Sequence, residues 1–250
     1  MAKKAEPTVE IAPVEKAKRI SSVGDLLLKS LEVFKNNWQN LVIVGLIILA
    51  GSVLTGVMQD GLDATLSSMS GAGSDLATMA SPTVGFTPLS VAGTILAGIF
   101  SVVFGLTLAK MVFSAADGGT VSLGEAFRYA INNAWPYLLV SFVFGVALIA
   151  GLVLLLIPGL LVLVWYGLFE PIFVLEGRRW TDAFKRSHEL TKDYFWPVLG
   201  RFVALGTIYL LANMALSFVP YALFFVGLIS APLMSGYVYY IYKDLVTIKS

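Results

Sequence analysis

The chain has 250 residues, of which 57% are hydrophobic and only 13% are charged, and its mean hydropathy is +0.82. A soluble domain carries roughly a quarter charged residues, so this composition excludes an ordinary soluble protein and predicts an integral membrane protein. The net charge of +1 argues against a nucleic-acid-binding protein, and the absence of cysteine from the sequence excludes disulfides, thiol chemistry and cysteine-ligated metal sites.

The first twenty residues predict a disordered cytoplasmic tail. Residues 1–19 mix five basic residues with three glutamates and two prolines and contain no apolar run. A secretory signal would place an apolar segment of about 7–15 residues directly behind the basic start, whereas the first such run begins at Leu41. No cleaved signal peptide is therefore expected, and residues 21–246 are expected to form one membrane domain.

Six continuous apolar stretches follow the tail. They cover residues 41–58, 89–113, 137–156, 160–175, 198–219 and 221–242. A helical span needs about 20 apolar residues, and the fourth stretch is short, but Ile157-Pro158-Gly159 before it predicts a tight turn that pairs it with the third. Pro220 separates the fifth from the sixth in the same way. Residues 59–88, which are rich in Gly, Ser, Thr and Met, are interpreted as a flexible external loop.

The positions of Lys and Arg predict the orientation. Three segments without any Lys or Arg, residues 36–109, 129–177 and 202–242, each contain two of the apolar stretches. All seventeen basic residues therefore fall on one side of the membrane. Loops rich in Lys and Arg stay cytoplasmic, so we expect a multi-pass protein of the prokaryotic plasma (inner) membrane with both termini in the cytoplasm.

A threefold pattern precedes the three pairs of spans. Residues 24–38, 124–135 and 181–196 each begin with a small residue, an acid and two apolar residues, and each ends on a tryptophan. An acid favours a helix start, and tryptophan suits the headgroup zone. The sequence therefore predicts an all-α integral membrane protein with six transmembrane helices as three hairpins, each preceded by a cytoplasmic amphipathic surface helix. The predicted interface anchors are Trp38, Trp135 and Trp196. The alternative is that the three stretches are not a repeat, because any loop on the cytoplasmic side must be basic and aromatic.

Four segments between residues 157 and 200 carry a family resemblance: IPGLL, EPIFVLEG, DAFKRSHELT and FWPVLG. With them the chain resembles the membrane domain of prokaryotic glycerophosphoryl diester phosphodiesterases and of related six-span bacterial membrane proteins, loosely from about residue 23 to residue 242. Those phosphodiesterases carry their chemistry on a separate soluble barrel of roughly 250 residues. The resemblance therefore implies the membrane part without the catalytic part, and no enzyme activity is expected.

Two polar residues inside apolar stretches are candidates for function. Glu170 interrupts the fourth stretch, and about ten residues at 1.5 Å rise would place it near mid-membrane, where an ionisable group is usually functional and paired. Lys110 or Arg201 could be its partner in a proton or cation site; the alternative is a kink at Pro171 that lets cytoplasmic water reach the carboxyl group. Asn213 could line a polar pathway or bond to a neighbouring helix.

A basic cluster follows the fourth stretch and consists of Arg178, Arg179, Lys185 and Arg186. Such residues on a cytoplasmic amphipathic segment attract anionic lipid headgroups, at about 1 kcal/mol each near the surface, although orientation by charge explains them equally well. The one histidine, His188, has no cysteines or clustered carboxylates with it in the sequence, so neither a metal site nor a cofactor is predicted.

These features favour a non-enzymatic polytopic membrane protein that interacts with anionic phospholipid, or with another membrane or cytoplasmic protein, at the cytoplasmic face. The sequence does not fix the oligomeric state. The alternative is a small-solute transporter or channel that uses Glu170, because transporters are often built from repeats with broken helices near mid-membrane. A membrane enzyme acting on lipid would need an acid–base pair or a metal cluster, for which the only candidates are Glu176, Asp182, His188, Glu189 and Asp193.

Overall fold

The structure is a computed structural model that describes residues 20–69, 88–154, 156–218 and 222–249. All regular secondary structure in these ranges is helical, as the predicted all-α class requires. The α-helices are α1 (Val23–Met69), α2 (Pro88–Ala116), α3 (Leu123–Leu154), α4 (Leu156–Tyr166), α5 (Phe169–Pro171), α6 (Thr181–Thr191), α7 (Phe195–Leu216) and α8 (Ala222–Lys249). A π-helical turn, Ile172–Glu176, follows α5, and a 3₁₀ turn, Lys192–Tyr194, joins α6 to α7.

Several of these helices are long and apolar enough to cross a membrane. Within the described ranges four segments meet that condition: Ile95–Ala116, Leu123–Leu154, Ile157–Glu176 and Thr181–Leu216. They correspond to the second, third, fourth and fifth predicted spans, while the first and sixth lie in α1 and α8. The prediction of a helical membrane protein with several apolar helices is therefore confirmed.

Part of the predicted external loop is helical. Residues 59–88 were expected to form a flexible loop, but α1 continues to Met69 and α2 begins at Pro88. The segment 59–69 contains no proline, and Leu62 and Leu66 are spaced one helical turn apart, so nothing in it forces the helix to end. The loop prediction was wrong for residues 59–69, and residues 70–87 lie outside the described part of the chain.

The residues predicted to form the turn before the fourth span are helical. Helix α3 ends at Leu154 and α4 begins at Leu156, so Pro158 and Gly159 belong to the first turn of α4. Proline has a fixed φ and no backbone N–H, and both properties suit the first turn of a helix, where that N–H would have no partner. The residues that were predicted to form the turn therefore start the next helix.

The three amphipathic stretches join their spans in different ways. The first shares α1 with its span and is kinked at Asn37, whose φ of −124° and ψ of 19° are not helical. The second runs through Pro136 without leaving α3. The third forms a helix of its own, α6, which the 3₁₀ turn separates from α7. The second stretch shares an uninterrupted helix with its span and must follow the direction of that span, so the prediction of a separate surface helix is wrong there. The kink at Asn37 separates the first stretch from its span, and the third stretch is a helix of its own.

The first two stretches begin with the same type of helix cap. Ser22 Oγ donates to an Asp25 carboxylate oxygen over 2.7 Å and accepts from the Asp25 N–H at 3.2 Å. Ser122 and Glu125 repeat this pair at 2.9 and 3.3 Å, and the Ser122 N–H also donates to the carboxylate over 3.1 Å. Such a reciprocal pair is a capping box. In the third stretch Arg179 replaces the serine, and only its backbone carbonyl accepts a hydrogen bond.

All three stretches bury the same positions. One residue beyond the acid, and again one turn later, every side chain is at most 2% exposed: Leu26, Ala126 and Ala183, then Ser30, Ala130 and Ser187. The last three are all small, which lets a neighbouring helix approach closely. The buried face that all three stretches share, together with the cap that the first two share, supports the interpretation of a threefold repeat.

The helices pack most closely at one end. One cluster of buried apolar side chains joins α1, α2, α3 and α8, and a second joins α4, α6, α7 and α8. Along the chain, α1 contacts α2, α3 contacts α4, and α7 contacts α8. In the halves of α3 and α7 that lie away from this end, large apolar side chains such as Val153 and Leu210 are exposed. Extensive exposed apolar surface of this kind suits contact with lipid.

Candidate functional site at the polar end

Charged side chains from every part of the described chain meet at the closely packed end. We call this region the polar end; it comprises the start of α1, residues 117–135, residues 176–201 and the last turns of α8. Contacts across it join residues far apart in sequence, namely Arg179 with Asn133, Tyr242 with Glu176, Lys243 with Asp117, Lys249 with Asp193 and Arg201 with Ser21. The basic residues involved therefore share one end of the molecule.

Glu176 is the centre of one of these networks. Its carboxylate accepts hydrogen bonds from Arg178 Nε over 2.7 Å, from Arg186 Nε over 3.2 Å and from the Tyr242 hydroxyl over 3.0 Å. These contacts fasten the end of the π-helical turn to α6 and to α8. Two members of the predicted basic cluster thus already have a carboxylate partner, and they hold the fold together at this point.

The other two members of the cluster have no carboxylate partner among the described residues. Arg179 Nη2 donates to the side-chain oxygen of Asn133 over 2.8 Å, which orients the guanidinium group without neutralising its charge. Lys185 lies on the exposed face of α6. The structure therefore brings the four predicted cations together around the start of α6 but pairs only Arg178 and Arg186 with Glu176.

The loop of residues 177–180 carries an exposed tryptophan that the sequence analysis missed. Trp180 has φ 55° and ψ −136°, and the Asp182 N–H donates to the Arg179 carbonyl over 3.2 Å. This is the geometry of a type II′ turn, in which the position of Trp180 is normally glycine. A non-glycine residue held there costs of order 1–3 kcal/mol. The sequence signal that could have identified this residue is a tryptophan directly after two arginines, just beyond the fourth apolar stretch.

The three predicted interface anchors are exposed, as their proposed role requires. Trp38 is 53%, Trp135 70% and Trp196 77% exposed, and Trp180 is similar at 54%. The remaining tryptophan, Trp165, instead packs edge-on against His188, with ring centroids 5.1 Å apart. His188 is thus an aromatic packing partner of α4.

Three of the acidic residues named for a lipid-modifying enzyme lie against basic side chains. Glu176 is bound by two arginines, Asp193 pairs with Lys249 over 2.8 Å, and Glu189 lies 4.0 Å from Arg186. Over the ranges that the structure describes, no three or more histidine and carboxylate side chains form a group that could hold a metal ion.

Glu170 lies where the fourth span is broken. The α-helix stops at Tyr166 and resumes at Phe169, and the π-helical turn follows Pro171. The Glu170 side chain is half-buried, and among the described residues it has no hydrogen-bond or ion-pair partner. A carboxyl group at a helix break is thereby left open to a proton or a cation.

Neither partner predicted for Glu170 is engaged with it. Lys110 Nζ lies 5.0 Å from the centre of the Tyr129 ring, and Arg201 donates to the backbone carbonyls of residues 20, 21 and 197. Sequence spacing could not reveal the contacts with Tyr129 and with residues 20 and 21, because these partners lie in other segments of the chain. The rings of Tyr166 and Phe169, on either side of the break, lie 5.3 and 6.0 Å from that of Phe184 on α6. Glu170 is therefore beside α6.

Asn213 satisfies its side chain within its own helix. Its Nδ2 donates to the Tyr209 carbonyl one turn earlier in α7, over 2.8 Å. Among the described residues this side chain makes no bond to a neighbouring helix, and its place in a polar pathway stays a prediction.

Asp117 attaches the loop between α2 and α3 to α8. Its carboxylate accepts hydrogen bonds from the Tyr239 hydroxyl and from Lys243 Nζ, each over 2.5 Å. Burial raises the pKa of Asp117, but the hydrogen bonds from Lys243 and Tyr239 and the charge of Lys243 together lower it by more than burial raises it. The pKa therefore lies below its usual value of 3.8. The carboxylate is therefore ionised at neutral pH and holds the polar end together.

Comparison of the chain with models of known protein families, with curated proteins and with solved structures found no match. The resemblance to the phosphodiesterase membrane domain therefore stays a prediction, and the function has to be argued from the polar end itself.

Replacing Trp180 tests whether the 177–180 loop is strained. We expect Trp180→Gly to be more stable than Trp180→Ala by about 1 kcal/mol, because glycine adopts a positive φ without steric cost whereas alanine does not. Thermal unfolding of both purified variants in the same detergent measures the difference. Equal stabilities of the glycine and alanine variants would show that the backbone here is not strained.

Proposed function

We propose that the protein is a multi-pass membrane protein that binds anionic phospholipid at its cytoplasmic face, through the 177–180 loop and the start of α6. The observation that supports this most directly is the combination of an exposed tryptophan, Trp180, with Arg179 and Lys185, two cations that have no carboxylate partner among the described residues. Tryptophan favours the headgroup zone, and arginine binds the phosphate group well.

The strain at Trp180 supports the same proposal. A costly backbone conformation persists only when the surrounding structure imposes it, and such residues concentrate at functional sites. Here the Glu176 network fixes the start of the loop, and Arg179 is held by Asn133. The loop therefore presents an aromatic ring and a guanidinium group in a fixed arrangement, which lowers the entropic cost of holding a headgroup.

The proposed topology has six spans in three hairpins. The contacts of α1 with α2, of α3 with α4 and of α7 with α8 are consistent with such pairs. Because loops rich in Lys and Arg stay cytoplasmic, the polar end would face the cytoplasm of a prokaryotic cell, with the protein in the plasma membrane. We regard the protein as a non-enzymatic membrane unit of the kind that the phosphodiesterase resemblance suggests, acting through lipid or through a partner protein.

Neutralising the free cations tests the lipid proposal. We expect Arg179→Gln combined with Lys185→Gln to lower the amount of anionic phospholipid that co-purifies with the protein. Two cations at about 1 kcal/mol each predict a loss of more than tenfold in affinity. The matched control is Lys35→Gln with Arg128→Gln, which removes two exposed cations outside the cluster.

Lipid mass spectrometry of the detergent-extracted variants gives the result, and replacing all four cluster residues, Arg178, Arg179, Lys185 and Arg186, should give the largest loss. The four-residue variant needs a thermal-unfolding check, because Arg178 and Arg186 also bind Glu176. If the Arg179 and Lys185 variant retains as much anionic lipid as the wild type, the proposed lipid site is refuted.

A second candidate function is a small-solute transporter or channel that uses Glu170. The observation that favours it is the helix break at this residue, because transporters bind their substrates and coupling ions at broken helices. Against it, the described spans offer few other polar groups that face one another.

Proton or sodium flux into proteoliposomes tests the transporter. If Glu170 carries the ion, Glu170→Gln should abolish flux and leave thermal stability unchanged, since glutamine has nearly the same shape but cannot bind a proton. Glu189→Gln, on the exposed face of α6, is the matched control. Full flux in the Glu170 variant would rule out Glu170 as an ion site, and a variant that simply unfolds would point to a structural role instead.

A further inference from the structure

Three side chains that carry oxygen atoms lie close together where the fourth span is broken. Tyr137 and Ser141 are one helical turn apart on α3. The centroid of the Tyr137 ring lies 5.9 Å from that of Phe169, directly before Glu170, and 5.2 Å from that of Phe173, three residues after it. The Tyr137 hydroxyl approaches Ser141 and is close enough to Glu170 to interact with its charge. One carboxyl and two hydroxyl groups thus share a small region between α3 and α5.

Two of these three groups have no hydrogen-bond partner in the part of the chain that the structure describes. Ser141 Oγ is shielded from solvent and has no such partner, and the Glu170 carboxyl group has neither a hydrogen bond nor an ion pair. Burying a polar group without a partner is costly, and each case in a native structure calls for an explanation. A ligand that binds both oxygen-bearing groups would remove this cost.

The charge of Glu170 restricts the ligand. No basic side chain in the described ranges lies close enough to interact strongly with this carboxyl group, and the two expected partners, Lys110 and Arg201, bind elsewhere. An ionised group among apolar side chains is costly unless an opposite charge accompanies it. One monovalent cation neutralises one carboxylate, whereas a divalent cation would leave a net positive charge. The surroundings therefore favour a monovalent cation.

The helix break supplies backbone carbonyls as well. A helix that stops leaves its last carbonyl groups without donors from the next turn, and α4 stops at Tyr166, three residues before α5 begins. Carbonyl groups at such breaks coordinate sodium ions in transporters. A proton on Glu170 would satisfy the carboxylate alone, whereas a metal cation can be bound by a carboxylate, hydroxyl groups and carbonyls at the same time. The set of groups therefore favours a metal cation over a proton.

We propose that Glu170, Tyr137 and Ser141 bind a monovalent metal cation, for which sodium is the probe. Their carboxylate and hydroxyl oxygens are ligands of the type that hard cations prefer. The inference rests on the second candidate function only for the choice of Glu170; it adds two residues of α3 and specifies the class of ion. It does not depend on the lipid site, because none of the three residues belongs to the 177–180 loop or to α6.

Removing single hydroxyl groups tests the site. Ser141→Ala and Tyr137→Phe each delete one oxygen ligand and otherwise keep the shape of the side chain. The matched control is Ser235→Ala, because Ser235 Oγ on α8 is also buried without a hydrogen-bond partner in the described chain. Equilibrium binding of radioactive sodium to the full-length protein in detergent, with choline as the balancing cation, measures the affinity.

We expect the wild type and Ser235→Ala to bind one sodium ion with equal affinity. Ser141→Ala and Tyr137→Phe should bind it about tenfold more weakly, as the loss of one polar contact to a charged group predicts. Glu170→Gln should not bind sodium, because it removes the charge that the ion neutralises. If Tyr137→Phe fails to fold, Ser141→Ala decides the contribution of the α3 hydroxyl groups.

Thermal unfolding separates the loss of a ligand from the loss of structure. In choline chloride, Ser141→Ala should be at least as stable as the wild type, because it deletes a hydroxyl group that has no hydrogen-bond partner in the described chain. Replacing choline with sodium should raise the unfolding temperature of the wild type more than that of Ser141→Ala, since a bound ion stabilises the folded state according to its affinity. An equal rise in the two proteins would overturn the site.

The outcomes keep this site apart from the transporter. No sodium binding by the wild type would overturn the site, and proton flux that depends on Glu170 would then leave the second candidate function standing. Sodium affinities of Ser141→Ala and Tyr137→Phe equal to that of the wild type would also overturn it, because the α3 hydroxyl groups would not be ligands. Sodium binding that these variants weaken, without any flux into proteoliposomes, would confirm the site and refute the transporter.

Discussion

A charged side chain in hydrocarbon is costly unless it is paired or reaches water, and this constraint explains most of the structure. The described charges that interact across the chain do so at one end, where Glu176, Asp117 and Asp244 each join segments far apart in sequence. The same end contains the buried apolar clusters. Beyond the polar end, the helices expose large apolar side chains that lipid can cover, so contacts between helices contribute less to the fold there.

Close packing at the polar end gives the candidate sites their rigidity. The Glu176 network uses two arginines to hold the π-helical turn against α6 and α8, and it leaves Arg179 and Lys185 without a carboxylate partner among the described residues. Arg201 likewise holds the start of α1 through backbone carbonyls. Cations that stabilise the fold and cations that can bind an anion thus lie side by side, which favours recognition of anionic headgroups at a fixed surface.

Apolar runs and the distribution of Lys and Arg were sufficient to predict the helical membrane class and the shared end of the basic residues that the structure describes, because both follow directly from burial and desolvation. The break points of the helices could not be predicted in this way. Asn37 leaves the helical conformation while Pro136 does not, and the positive φ of Trp180 depends on the turn around it. The partners of Lys110 and Arg201 come from other segments, so sequence spacing could not show that neither residue pairs with Glu170.

The proposed topology places the polar end in the cytoplasm. The sequence contains no cysteine, so a cysteine introduced at one position is the only thiol that a maleimide can label. In intact bacterial cells treated with a membrane-impermeant maleimide, we predict that Ser74→Cys, between the first two predicted spans, is labelled and that Thr120→Cys, between α2 and α3, is labelled only after the membrane is permeabilised. Labelling of Thr120→Cys but not of Ser74→Cys in intact cells would contradict the account.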